Sequence, residues 1–260
     1  MTIRSIFLFA PAESVRADRG PAAYAISIAQ QRKARLTVLC VALDVTSPGT
    51  GADALMKAND IAQAALRAGV DCKIITEHSH AIGIPEVVAE HARMHDLCVS
   101  GAARFGLINE RQIAETLLFA SGRPLLVVPA AHTQPYVAGP VAIGWDNTAP
   151  AARALGDAIA LLDVASVRLV TITGEKPLPT DMGPDDLISA LARRDVVGEH
   201  QLADLCGRPI GAALVEEAER AGAGLLVMGG FAHSRLRQLI LGGATAQLLD
   251  APRMPTLLSH

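Results

Sequence analysis

Aromatic side chains are scarce in this chain of 260 residues: 3% of the total, with one tryptophan, two tyrosines and five phenylalanines. Single-stranded nucleic acid is held on stacked rings, so that mode of binding is not expected. The net charge is −3 and no long basic run is present. The electrostatic footprint of a DNA, RNA or anionic-membrane binder is therefore missing. No stretch approaches the roughly 20 apolar residues of a membrane span. The cysteines are few, Cys40, Cys72, Cys98 and Cys206, and no pair has C-x-x-C spacing. A structural zinc site or redox dithiol is not indicated; four free thiols and a cytoplasmic setting are expected. Arg4 followed by Ile6–Ala12 only loosely imitates a short signal sequence, and a first β-strand is the better reading. Neither a G-x-S-x-G nucleophile elbow nor a G-x-x-x-x-G-K-[ST] loop occurs.

What the chain has is aliphatic. Hydrophobic residues make up 50% and charged residues 19%, enough for two sizeable cores at this length. The halves repeat one another. Asp96–Gly101 parallels Gly224–Gly229, and Arg123–Val128 parallels Met254–Ser259. Between them, the proline-rich, aperiodic segment Pro129–Pro140 reads as a linker, giving domains at 1–132 and 140–260. In the first half, strands are expected near Ser5–Phe9, Leu36–Ala42, Cys72–Glu77, Leu97–Ser100 and Leu125–Val128. In the second, they fall near Val141–Trp145, Val167–Thr173, Val196–Leu202, Leu225–Met228 and Thr256–Leu258. Alanine-rich helical segments separate them. Strands apolar throughout, alternating with helices, predict an α/β fold of two doubly wound, five-stranded parallel sheets.

The segment after Leu225–Met228 carries the chemistry. Gly229-Gly230 turns the chain out of a buried strand, and Gly242-Gly243 precedes a helical segment beginning at Ala244. Glycine lets backbone approach a ligand, and helix N-termini offer free N–H groups to anions. The segment resembles the nucleotide-binding signature of the universal stress proteins: Gly, two residues, Gly, nine residues, Gly, then Ser or Thr. Gly230 and Gly243 fall in place. His233 stands at the second glycine, Ala244 stands at the Ser/Thr position, and Thr245 follows. Ala142–Thr148 is similar to that family's first strand and acidic turn. The resemblance covers nearly the whole chain as a tandem pair of such domains.

That resemblance implies an adenine nucleotide, ATP or a relative, in the second half, with Asp146, Gly230, His233, Ser234, Arg235, Gly243 and Thr245 around it. Asp146 and Gly230 are expected to meet where the strand order reverses. Arg235 is the natural phosphate clamp, and Thr245 a hydroxyl donor or helix cap. Plainer readings stand beside these: the glycines serve tight turns, and Asp146 caps the helix that follows it. The first half has no acid after its first strand, and Glu110 and Glu115 occupy the stretch where an anion would sit. It reads as a degenerate structural partner. His91/His95 and His78/His80 lack further ligands at convincing spacing, so no metal is expected. The resemblance further implies a nucleotide-responsive stress module with an unidentified protein partner, pairing of the two halves as a pseudo-twofold unit, and at most slow ATP hydrolysis; it leaves a homodimer open. The alternative is a nucleotide-independent stress scaffold working through protein contacts.

Overall fold

Short aliphatic runs form the centre of each sheet. The computed structural model describes residues 3–11, 15–43, 50–80, 82–103, 108–174, 184–230 and 243–260. The chain divides into two compact units, Met1–Tyr136 and Val137–His260. The first contains β1 (Ser5–Phe9), α1 (Gly20–Arg32), β2 (Arg35–Leu43), α2 (Thr50–Arg67), β3 (Cys72–Ser79), α3 (Ile84–Ala92), β4 (Leu97–Ser100), α4 (Glu110–Ala120) and β5 (Leu125–Val127). Its strands are parallel in the order β3-β2-β1-β4-β5. The second contains β6 (Pro140–Gly144), α5 (Ala149–Leu162), β7 (Ser166–Thr173), α6 (Pro184–Ala192), β8 (Val197–Asp204), α7 (Ile210–Arg220), β9 (Leu225–Gly229), α8 (Ala244–Asp250) and β10 (Thr256–Ser259). Its order is β8-β7-β6-β9-β10, again parallel. Each unit is thus an α/β sandwich of the expected class.

Burial follows the apolar runs. Ile6, Phe7 and Leu8 of β1 and Leu97, Cys98 and Val99 of β4 are fully buried, as are Leu226 and Val227 of β9. Burying each large aliphatic or aromatic side chain of this kind contributes roughly 1.5–3 kcal/mol. The strands β3 and β8 run past their expected ends, to Ser79 and Asp204. They end their units' strand orders and alternate in exposure, so apolar continuity marks their limits poorly. Cys40 and Cys98 are buried, and burial pushes both thiols up to about 12. All four cysteines are free.

The segment read as a linker is in part strapped to the first unit. The Gly20 N–H donates to the His132 carbonyl at 2.7 Å. The Ser27 hydroxyl donates to the Tyr24 carbonyl at 2.7 Å and accepts the Tyr136 N–H at 2.8 Å. The Gln31 amide reaches the Tyr136 carbonyl. Tyr24 meets Tyr136 edge-on, with ring centroids 5.9 Å apart, and His132 at 5.3 Å. Both tyrosines of the chain are therefore spent on fastening residues 132–136 along α1, and Tyr136 is buried.

One carboxylate ties the start of β1 to the start of β4. Asp96 Oδ2 accepts the Arg4 N–H at 2.8 Å, the Ser5 N–H at 2.9 Å and the Ser5 hydroxyl at 3.0 Å. Burial pushes the Asp96 pKa up, but these donors and the nearby Arg123 outweigh it, and the net shift is downward. A carboxylate lowered in the folded state stabilises above its unfolded pKa of about 4, and the contribution is lost as pH falls through the folded value. Asp96→Asn is expected to cost on the order of 1–2 kcal/mol at neutral pH. In urea denaturation across pH, the gap between wild type and variant should close below about pH 4. A gap independent of pH would show that the carboxylate charge is not what ties these strands.

Candidate functional site

The strand order of the second unit reverses between the parallel neighbours β6 and β9. Val141 pairs with Leu225 and Gly144 with Met228, while β7 lies on the other flank of β6. Chain leaving β6 and chain leaving β9 therefore depart from neighbouring strand ends, the usual ligand position in an open α/β sheet. Asp146 and Gly230 each follow one of these neighbouring strands.

The exit from β6 is a tight, hydrogen-bonded turn. The Trp145 N–H donates to the Val170 carbonyl at 2.8 Å, and the Trp145 carbonyl accepts the Thr171 hydroxyl at 2.9 Å. Asn147 adopts φ 59°, a left-handed conformation that asparagine tolerates. Asp146 Oδ1 accepts the Thr148 N–H at 3.2 Å and its hydroxyl at 2.6 Å. Thr148 in turn is the N-cap of α5, accepting the Ala151 N–H at 3.4 Å. Asp146 thus braces the capping residue instead of capping α5 itself. Its carboxylate is half-buried.

The glycines after β9 play different parts. A Cβ built on Gly229 would lie 2.6 Å from the Ala151 nitrogen and 2.7 Å from Pro150. Only glycine lets the first turn of α5 come this close to the end of β9. Gly230 is buried, and its N–H donates to the Ser259 carbonyl at 2.7 Å. Its carbonyl lies 3.0 Å from His260 Nδ1. The Gly230 N–H is therefore engaged in extending the β9–β10 ladder. Gly243 sits at the N-cap of α8 with φ 95° and ψ −179°, and among the described residues nothing lies within 4 Å of a Cβ built there. This backbone favours glycine. Thr245 lies inside the first turn of α8 and is buried, so the cap position belongs to Gly243. The Gln247 side chain braces α8 by accepting the Gly211 N–H of α7 at 2.7 Å. His233, Ser234 and Arg235 lie outside the described residues.

Sequence reasoning missed Ser259. It ends β10 beside Gly229, is 1% exposed, and its hydroxyl has no hydrogen-bond partner among the described residues. The signal was present in the repeat: the corresponding residue of the first half is Val128, so a polar atom replaces an apolar one at a buried strand end. Elsewhere, His91 Nε2 lies 3.2 Å from Glu77 Oε1. His95 Nδ1 lies 3.0 Å from the His91 carbonyl, and its ring packs on Phe7. Among the described residues no group of three or more His, Cys, Asp or Glu could hold a metal ion. Among them, too, no helix is long and apolar enough to cross a membrane.

The packing at Gly229 can be tested directly. Gly229→Ala is expected to destabilise the protein by about 1–3 kcal/mol, because the added methyl strikes α5 backbone that cannot rotate away. Gly156→Ala, inside α5 with no described residue within 4 Å of its Cβ, should stabilise by about 1 kcal/mol through helix propensity. Equal effects of the two substitutions, read from chemical denaturation, would contradict the close approach.

No protein-family model matches the sequence, and no curated protein matches it. Solved structures do. A universal stress protein of Archaeoglobus fulgidus DSM 4304 superposes with TM-score 0.68 at 12% identity, over 97% of this chain and 95% of its own. A Pseudomonas aeruginosa UCBPP-PA14 protein assigned to the universal stress proteins gives TM-score 0.59 at 17% identity, over 99% and 93%. A functionally unknown protein of Pseudomonas aeruginosa PAO1 gives 0.60 at 16%, over 99% and 92%. These likenesses span the whole chain, and the chain has the universal stress protein fold.

Proposed function

We propose that the chain is a tandem member of the universal stress protein family, acting in the cytoplasm as a nucleotide-responsive regulatory or protective module. On this reading it binds one adenine nucleotide, in the second unit. The observation that carries it is the neighbouring exit of Asp146 and Gly230 at the reversal of strand order. An ionised carboxylate has about four lone-pair sites. On this reading Asp146 accepts hydroxyl or amino hydrogens from ribose or adenine alongside its bonds to Thr148. Phosphate oxygens approach the open backbone at Gly243, and the buried Ser259 hydroxyl is an unspent donor near the same strand ends. Arg235, with His233 and Ser234, would complete the phosphate contacts. Ligand binding shifts the state of a partner surface only by its differential affinity for the two states.

A nucleotide-independent scaffold is the second reading. It is favoured by the engagement of the Gly230 N–H with Ser259 and of Asp146 with Thr148, which satisfies two expected ligand contacts internally. Titration calorimetry of the full chain with ATP, ADP and AMP separates the two. Nucleotide binding predicts one site per chain. Gly243→Leu should abolish it, and Asp146→Ala should weaken it by roughly 1–3 kcal/mol. Two equivalent sites would refute the assignment to the second unit, and no binding at all would establish the scaffold reading.

A further inference from the structure

We infer that the first unit carries its own anion: the Glu110 carboxylate fills the crevice where the order β3-β2-β1-β4-β5 reverses, and holds this unit in a ligand-independent state. Glu110 is the first residue of α4, yet it is only 4% exposed. An acid at a helix start ordinarily faces water and complements the helix dipole from outside. Here the capping role is already filled, because Asn109 accepts the Gln112 N–H at 3.2 Å. The Glu110 side chain turns instead toward the end of β4. Its Oε2 accepts the Ala103 N–H at 3.2 Å. A Cβ built on Gly101 would collide with that carboxylate, with Cδ 3.3 Å away and Pro21 Cγ 3.6 Å away.

The carboxylate therefore sits at the exit of β4, on the side of Gly101 that faces the first turn of α1. That turn contains no acid, and its N-cap, Arg19, makes no side-chain cap bond. The positive ends of α1 and α4 and the Ala103 amide form the setting that an external anion finds at helix N-termini. Burying a carboxylate costs several kcal/mol unless donors and dipoles compensate it, and this setting supplies them. The second unit differs at each point. Gly229, the counterpart of Gly101, packs straight onto Pro150 and Ala151. The helix α8 begins with Ala244 and has no acid in its first turn. The first unit is filled by its own side chain, and among the described residues the first turn of α8 offers no acid to do the same in the second. This inference stands whether or not the second unit binds a nucleotide.

The test uses the full chain with Glu110→Ala and Glu110→Gln. Alanine removes a CH₂–COO⁻ fragment, which acetate can replace. Glu110→Ala is expected to lower the unfolding midpoint by roughly 5 °C and to speed hydrogen exchange around Ala103 several-fold. Acetate should restore the midpoint more than chloride at matched ionic strength, and should leave the wild type unchanged. Glu110→Gln keeps the shape without the charge; it should also exchange faster around Ala103, and acetate should not rescue it. Wild-type exchange in Glu110→Gln would overturn the inference, as would equal effects of acetate and chloride on Glu110→Ala. If the alanine variant does not fold, the glutamine variant decides alone.

Discussion

The pairing of first strand with fourth, β1 with β4 and β6 with β9, governs what each unit presents at the carboxyl ends of its strands. It reverses the strand order, so two connections diverge and leave a crevice. It also brings the last residue of the second unit's fourth strand, Gly229, against the first turn of α5. In the second unit that approach reaches 2.6 Å from a Cβ position at Gly229, which no side chain survives without backbone movement. Glycine at this point is a packing requirement before it is anything else. Any role in binding is built on top of that requirement, by residues that the turn happens to expose.

The two units meet the same constraint with different chemistry. In the first, a carboxylate from α4 occupies the gap between Gly101 and α1, and an amide that a ligand could have used is satisfied from within the chain. In the second, the helix packs directly on the strand end, while Gly243 holds a left-handed backbone with no described residue beside it. An internal anion is present at effectively saturating concentration, since its connection to the site is covalent. On the inference drawn above, the first crevice then has no cause to respond to solutes; on the proposed function, the second responds.

Much of the fold was legible because buried parallel strands are continuous apolar runs, as at Leu97–Ser100 and Leu225–Met228. The strap at 132–136 was not legible. Its contacts join residues more than a hundred positions apart, such as Tyr136 with Ser27, and proline content alone suggests only a loop. At the site, spacing singled out Gly230, whereas the close approach falls on Gly229; a spacing rule counts glycines without saying which Cα faces a neighbouring helix. Glu110 was visible as an acid in the crevice stretch. That it is buried there depends on Asn109 taking the cap position, which local sequence permits but does not dictate. Ser259 emerges only when it is compared with Val128 in the other half.

The central claim, one crevice filled from within and the other open to a ligand, is most directly tested by hydrogen-exchange mass spectrometry of the wild-type full chain with and without saturating ATP. The account predicts slower exchange in segments around Asp146–Ala151 and Gly243–Gln247, and no change in Leu97–Ala103 or the start of α4. Protection appearing at the end of β4, or equally in both units, would contradict it.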